Sequence, residues 1–287
     1  MWTTTQAEAY TRWLATHHYE NFQVVSFLLP KNLHQDFYNV YAFCRWADDL
    51  ADEIPDKAEA LRLLDWWRGL LHSMFAGDAW HPVFLALRST VRKHEIPEQP
   101  FADLITAFVH DQTVSRYPAW QDVFDYCRFS ANPVGHLVLY LCGYRDPERQ
   151  RLSDSTCTAL QLANFWQDVS IDLLKDRVYI PLEVMDRHAY GVTDLFAGLE
   201  NDAFRAVMKD IVDRTRELFH AGLPLVSMVD RRLSIDLDLF SRGGMRVLAK
   251  IEAQRYNVLR CRPKIGKLER VGILLQSLVR QGFRPAA

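Results

Sequence analysis

Tyr41, Arg45, Asp48 and Asp52 fall at i, i+4, i+7 and i+11, so on a helix they share one face. Asp49 sits beside them. About 115 residues further on, Gln161, Asn164, Asp168 and Asp172 repeat the seven- and eleven-residue offsets with oxygen-bearing side chains. Each segment carries two aspartates at i,i+4, a like-charge pair that costs about 0.2–0.5 kcal/mol on a helix. Two such faces turned toward each other would repel further, so a cation between them is the economical reading. Hard oxygen donors without His or Cys select Mg²⁺ over zinc. Magnesium dehydrates reluctantly and is commonly held by one or two carboxylates while substrate phosphates complete its shell. The chemistry this donor set fits is metal-assisted handling of a diphosphate. A lone D-D-x-x-D is weak evidence, because acidic solvated faces are common; its recurrence next to aromatic and apolar residues is far more specific.

The elements that must position these faces are helical, since strand-like alternation over long stretches is absent. Asn32 with Gln35 three residues later reads as a capping box opening the first acidic helix, and Pro55 closes it. Phe37, Val40 and Cys44 form its apolar stripe. The second acidic helix is expected from about Asp154 to Leu174, with Leu162, Phe165, Val169 and Leu173 as its stripe. Further helical patterns run near Ala58–Phe75, Pro82–His94, Phe101–Val114, Asp122–Cys142, Asp202–Phe219, Leu223–Phe240, Gly244–Leu259 and Leu268–Arg280. Pro133, inside one of them, is expected to break the bond to Phe129 and kink the helix. Connections are short, and no Gly/Ser-rich linker, low-complexity tract or repeat appears, so residues 1–287 read as one all-α domain.

Composition narrows the function. A net charge of −2 gives no reason to expect nucleic acid. The sum hides an asymmetry: Arg242 to Arg284 holds 11 Lys/Arg and 2 Asp/Glu, which reads either as a solvated helix face or as a surface for a diphosphate or lipid headgroups. Five scattered cysteines, none in a C-x-x-C pair, argue against a disulfide framework or zinc site and for a reducing compartment. The first residues lack a signal-peptide pattern, and the apolar runs Val134–Leu141 and Val271–Val279 are far shorter than a membrane span. The expected location is cytoplasmic, or peripheral to the inner face of the membrane. No dinucleotide fingerprint, Gly-rich phosphate loop or nucleophile–base motif is present.

These segments resemble the squalene/phytoene synthase family. Ser26-Phe-Leu-Leu-Pro30 followed by Tyr41-Ala-Phe-Cys-Arg45-Trp-Ala-Asp-Asp-Leu-Ala-Asp52 is similar to its first aspartate-rich signature. Gln161-Leu-Ala-Asn164-Phe-Trp-Gln-Asp168-Val-Ser-Ile-Asp172, with Arg177-Val-Tyr179-Ile-Pro181, is similar to the second, and the similarity runs from about His17 to Lys267. The chain departs from the common pattern in reading Gln167 where most members have Arg, Ile171 where most have an acidic residue, and Ala131-Asn132-Pro133-Val134-Gly135 where most have Ala-Gly-x-Val-Gly. Those departures resemble the bacterial hopanoid-pathway branch, the hydroxysqualene synthases, which convert presqualene diphosphate and water to hydroxysqualene and diphosphate.

The resemblance implies an isoprenoid-synthase-type helical bundle with a central active-site cavity and Mg²⁺ as cofactor, with Asp48, Asp52, Asn164, Asp168 and Asp172 as metal ligands. It implies presqualene diphosphate, or farnesyl diphosphate in a rival reading, as substrate. Arg45 and Arg177 would grip phosphate oxygens, with Tyr41, His18, Gln161 and Tyr256 beside them and Lys175, Arg262 and Lys264 as weaker candidates. Phe22, Tyr41, Phe43, Tyr126, Phe129 and Trp166 would line a dry cavity for the cation, with plain core packing as the alternative for Phe43 and Trp166. Asn132 or the carbonyl freed by Pro133 would position the attacking water. His110, Asp111, Arg116 and Tyr117 are the best further candidates, although a lone His or Asp at a helix end is usually a cap. Partner expectations are the upstream and downstream isoprenoid enzymes and peripheral membrane contact. The rivals are presqualene diphosphate, squalene or phytoene synthases on the same fold, and a non-catalytic helical assembly factor, whose aspartate motifs would be eroded.

Overall fold

Residues 2–17 and 30–282 are described by the structure, a computed structural model. Helices come in the order α1 (Thr4–His17), α2 (His34–Asp52), α3 (Lys57–Phe75), α4 (Pro82–His94), α5 (Gln99–Asp111), α6 (Trp120–Ser130), α7 (Asn132–Leu141) and α8 (Pro147–Asp172). They continue with α9 (Leu182–Arg187), α10 (Val192–Phe196), α11 (Asp202–Gly222), α12 (Arg231–Ala253) and α13 (Lys267–Gly282). Among the described residues there is no strand, only an isolated bridge between Arg116 and Val178. No described helix is long and apolar enough to cross a membrane. The chain divides into two compact units, Met1–Thr113 with Phe129–Gln150 and Val114–Arg128 with Arg151–Ala287.

In the first unit α2 packs against α1, α3, α4, α5 and α7. Its apolar stripe is as expected: Phe37 and Val40 are buried and Cys44 lies against the same core. Phe43 is fully buried there, stacked on Trp67 at 5.8 Å and edge-on to Phe84 and Phe101, so it is a core residue. A buried polar network fixes the register of α2. Asn39, 1% exposed, uses its whole amide: Oδ1 accepts from Thr11 Oγ1 (2.6 Å) and Gln35 Nε2 (2.9 Å), while Nδ2 donates to Thr90 Oγ1 (3.0 Å) and the Ala86 carbonyl (3.2 Å). One turn earlier, Asp36 accepts from Thr90 Oγ1, Lys93 Nζ and His94 Nε2 at 2.7–3.0 Å. The expected capping box does not form. Residues Lys31–Leu33 make a 3₁₀ turn, Leu33 offers no side-chain cap, and Gln35 donates to Thr11 Oγ1 and the Glu8 carbonyl of α1 instead. Tertiary partners thus outcompete the local cap.

The expected Asp122–Cys142 helix is two helices. The chain breaks at Ala131 and restarts, placing Pro133 in the first turn of α7, where its missing N–H costs no helical bond. A kinked continuous helix is replaced by a stop and a fresh start.

Helix α8, which belongs to the second unit from Arg151 on, begins at Pro147, seven residues before the expected start, and ends in a 3₁₀ turn, Leu173–Lys175. Two glycines let other helices approach it. A Cβ on Gly222 would lie 2.2 Å from Thr156 Oγ1, and one on Gly244 would lie 2.2 Å from Phe219 Cζ and 3.1 Å from Leu160. Gly243-Gly244 therefore does not divide α12: the two expected helices on either side are one, preceded by a 3₁₀ turn at Leu223–Ser227. Trp166 is a core residue, fully buried with Nε1 donating to Thr215 Oγ1 at 2.7 Å.

Candidate active site

Helical periodicity places Tyr41, Arg45, Asp48 and Asp52 along one side of α2, next to the Phe37–Cys44 stripe, where the first three are half-buried. Arg45 lies among the acids, with Nη2 2.5 Å from Asp49 Oδ1 and Nη1 3.4 Å from Asp48 Oδ2. Asp49, which the offsets left at the edge of the face, is its closer partner. The guanidinium offsets the like-charge repulsion that the sequence implies, and it holds a fork-shaped donor beside two carboxylates. Half-buried Tyr41 has its phenol pushed up by burial, with Arg45 pulling it down and Asp48 and Asp49 raising it further. Asp52 is exposed one turn beyond Asp48.

The second face is more enclosed. Asp168 has 14% of its side chain exposed, and both its oxygens are taken by Arg262, one from Nε and one from Nη2 at 3.0 Å. Asp172, one turn on, is pushed up to about 7, first by burial and then by the neighbouring Asp168 charge, against the pull of Arg177, Lys175 and Arg262. Arg177 comes within reach because the chain turns sharply after α8: Asp176 has φ +56°, and the Arg177 N–H donates to the Asp172 carbonyl at 2.9 Å. Arg116 braces that turn, donating to the Asp176 carbonyl and to Asp176 Oδ1, both at 2.5 Å. Asp172 and Arg177 line a recess with Phe165, Val169, Tyr179 and Leu195. Gln161 is half-buried and Asn164 exposed on the same helix.

Of the other expected residues, Tyr126 adjoins this recess through Phe165 and Tyr179. Tyr126 is 5% exposed and belongs to an aromatic cluster with Tyr117 (5.6 Å), Tyr179 (5.8 Å) and Phe165 (6.1 Å), in which Phe165 and Tyr179 stack at 3.7 Å. Tyr256 follows α12 with φ +63° in the field of Glu252, Asp213, Lys209 and Arg216, and burial is the largest effect raising its phenol. Asn132 is half-buried at the start of α7 and Phe129 half-buried before the break. His18 and Phe22 lie outside the described residues. The bidentate hold of Arg262 on Asp168 spans 94 residues of sequence, and no periodicity could have pointed to it.

Among the described residues no group of three or more His, Cys, Asp or Glu stands close enough to hold a metal ion by itself. Each face instead offers aspartates one turn apart and oxygen donors only, and on α8 Asp172 is raised first by burial and then by the Asp168 charge, the second of which a dication would offset. A half-shell of one or two carboxylates is what magnesium takes when phosphate and water supply the rest. The residues fit.

Comparison with known proteins gives a consistent picture. Residues 15–269 match the squalene/phytoene synthase family. The crystal structure of squalene synthase HpnC from Alicyclobacillus acidocaldarius is 42% identical, covers 88% of this chain and 96% of its own, and superposes with a TM-score of 0.86. The hydroxysqualene synthase of Rhodopseudomonas palustris is 32% identical over 83% of this chain and 82% of its own length. The 15-cis-phytoene synthase of Synechococcus elongatus is 29% identical over 74% of each.

Proposed function

The chain belongs to the squalene/phytoene synthase family, an enzymatic family with an all-α isoprenoid-synthase fold, and we propose that within it the protein is a hydroxysqualene synthase. In this reading it converts presqualene diphosphate and water to hydroxysqualene and diphosphate. The observation that carries the reading is Gln167. The wider family resemblance calls for Arg there, and here the side-chain N–H is committed to the Pro263 carbonyl at 2.5 Å. One cationic phosphate contact is thereby missing, which suits an enzyme that handles one diphosphate and not two. The similarity to HpnC at 42% identity supports the same branch.

The chemistry asked of the residues is ionisation of a cyclopropylcarbinyl ester, with the electron pair of the broken C–O bond leaving on diphosphate. Asp48, Asp52, Asn164, Asp168 and Asp172 would hold magnesium, which when bound supplies Lewis acidity toward the leaving group. Arg45 and Arg177 offer planar forks for phosphate oxygens. By the family resemblance Tyr41, Gln161, Tyr256 and His18 would add donors to the same group, and Tyr126 and Phe22 would supply aromatic rings for the cation. Asn132 orients the water whose oxygen bonds to the cation and which then loses its proton.

The test is incubation of purified protein with presqualene diphosphate and Mg²⁺, without NADPH, followed by product identification. Hydroxysqualene and one equivalent of diphosphate are expected. Consumption of farnesyl diphosphate alone would move the protein to presqualene diphosphate or squalene synthesis, and absence of any Mg²⁺-dependent diphosphate release would make it a scaffold. Asp52→Asn and Asp168→Asn are each expected to slow release about a hundredfold or more, because each removes charge stabilisation needed in the transition state.

A further inference from the structure

The stretch between α12 and α13 is tied to two consecutive residues of the second acidic face. Gln167 Nε2 donates to the Pro263 carbonyl. The neighbouring Asp168 receives both arms of Arg262. Pro263 is buried, has no N–H of its own and a fixed φ, so its carbonyl is the handle by which Gln167 can hold this stretch. Arg262 keeps 37% of its side chain exposed, whereas Asp168 keeps 14%. The cation thus sits at the solvent side of a carboxylate that the proposed function assigns to metal. The same two oxygens cannot serve a bidentate guanidinium and a dication at once. A guanidinium fork fits phosphate as well as carboxylate.

We propose that Arg262 is a placeholder cation: it neutralises Asp168 in the ligand-free protein, is held there by Gln167 through the Pro263 carbonyl, and transfers to the diphosphate when metal and diphosphate arrive together. Gln167 is then a positioning residue, acting through Arg262. This rests on the proposed function only in taking a diphosphate as the arriving group. The gain is a site whose second face is never an uncompensated pair of carboxylates, and whose counter-charge is already within reach of the substrate's anionic end.

Titration calorimetry on the full chain tests both halves without any prenyl substrate. With Mg²⁺ alone, Arg262→Ala is expected to bind about fivefold tighter than wild type, because the competitor at Asp168 is gone. Gln167→Leu, which keeps the arginine but releases its tether, is expected to shift affinity the same way by about twofold. With inorganic diphosphate at saturating Mg²⁺, Arg262→Ala is expected to bind about tenfold more weakly, and Arg262→Lys about threefold, since an ammonium keeps the charge without the fork. Mg²⁺ binding that is unchanged or weaker in both Arg262→Ala and Gln167→Leu would overturn the placeholder role. Unchanged diphosphate binding in Arg262→Ala would overturn the transfer. Circular dichroism and melting curves establish that each variant is folded, and Gln167→Leu carries the test if Arg262→Ala is not. Failure of the wild type to convert presqualene diphosphate would sink the proposed function while leaving these titrations intact.

Discussion

Asp236 on α12 is 2% exposed, neither of its carboxylate oxygens has a hydrogen-bond partner among the described residues, and its pKa is pushed from the ordinary 3.8 to about 8 by burial and then by the Asp230 charge. Replacing it with Asn removes the titration while keeping the shape. The sign follows from the direction of the shift. The folded state holds its proton more tightly than the unfolded chain, so stability is lost as pH rises from about 4 to about 8 and is level beyond. One pH unit of that window is worth about 1.4 kcal/mol. At neutrality, some three units above the ordinary carboxyl value, the native acid costs at most about 4 kcal/mol, and relaxation of its surroundings lowers this to about 2–3 kcal/mol. Asp236→Asn is therefore expected to match wild type near pH 4.5 and to exceed it by about 2–3 kcal/mol at pH 7, with the gap growing steadily between. Urea unfolding at half-unit intervals from pH 4.5 to 8.5 measures it. Parallel stability profiles would refute the reasoning, because they would mean that Asp236 ionises alike in both states.

Asp36 titrates with the opposite sign. Burial pushes its carboxyl up, but hydrogen bonds from Lys93, His94 and Thr90 outweigh that and hold it below its ordinary value. Its contribution is present in full above the unfolded pKa and disappears as pH falls through the folded one, so Asp36→Asn is expected to lose about 1–3 kcal/mol at pH 7 and progressively less below pH 4, read from the pH dependence of the urea midpoint. Gly244→Ala drives a methyl into the buried Phe219 ring and is expected to cost about 1–3 kcal/mol in a thermal melt. Gly243→Ala meets nothing within 4 Å and is expected to be neutral or to stabilise α12 by up to about 1 kcal/mol.

The acidic faces were legible because a 3.6-residue period converts spacing directly into a shared side, and the helix starts expected at Ala58 and Pro82 lie within a residue of the observed ones, where Asp56 and His81 supply local caps. Where the outcome depended on partners far along the chain, local signals misled. Gln35 looked like a cap residue and became part of the Asn39 network. Gly243-Gly244 looked like a break and is a close approach to Phe219 and Leu160. Nothing local in the sequence signals that Asp236 and Asp238 are buried, yet both are, because α12 is enclosed around most of its first three turns. Family resemblance makes Arg262 a weaker candidate for phosphate, but its grip on Asp168 is a tertiary fact. Helices α1, α9 and α10 were not anticipated, being either polar at their start or too short to show a period.

The order in which the first unit's parts leave the ribosome has a consequence. Leu137 and Leu141 of α7 complete the core around Phe43, Trp67 and Phe101, yet they emerge only after residues 114–128, which belong to the other unit. A nascent chain stalled near Thr113 would carry a greasy slot with nothing to fill it, and it should recruit trigger-factor-like holdases until α7 is translated. Fragments cut at that point are accordingly expected to aggregate, whereas arrest beyond Gln150 should yield a protease-resistant intermediate.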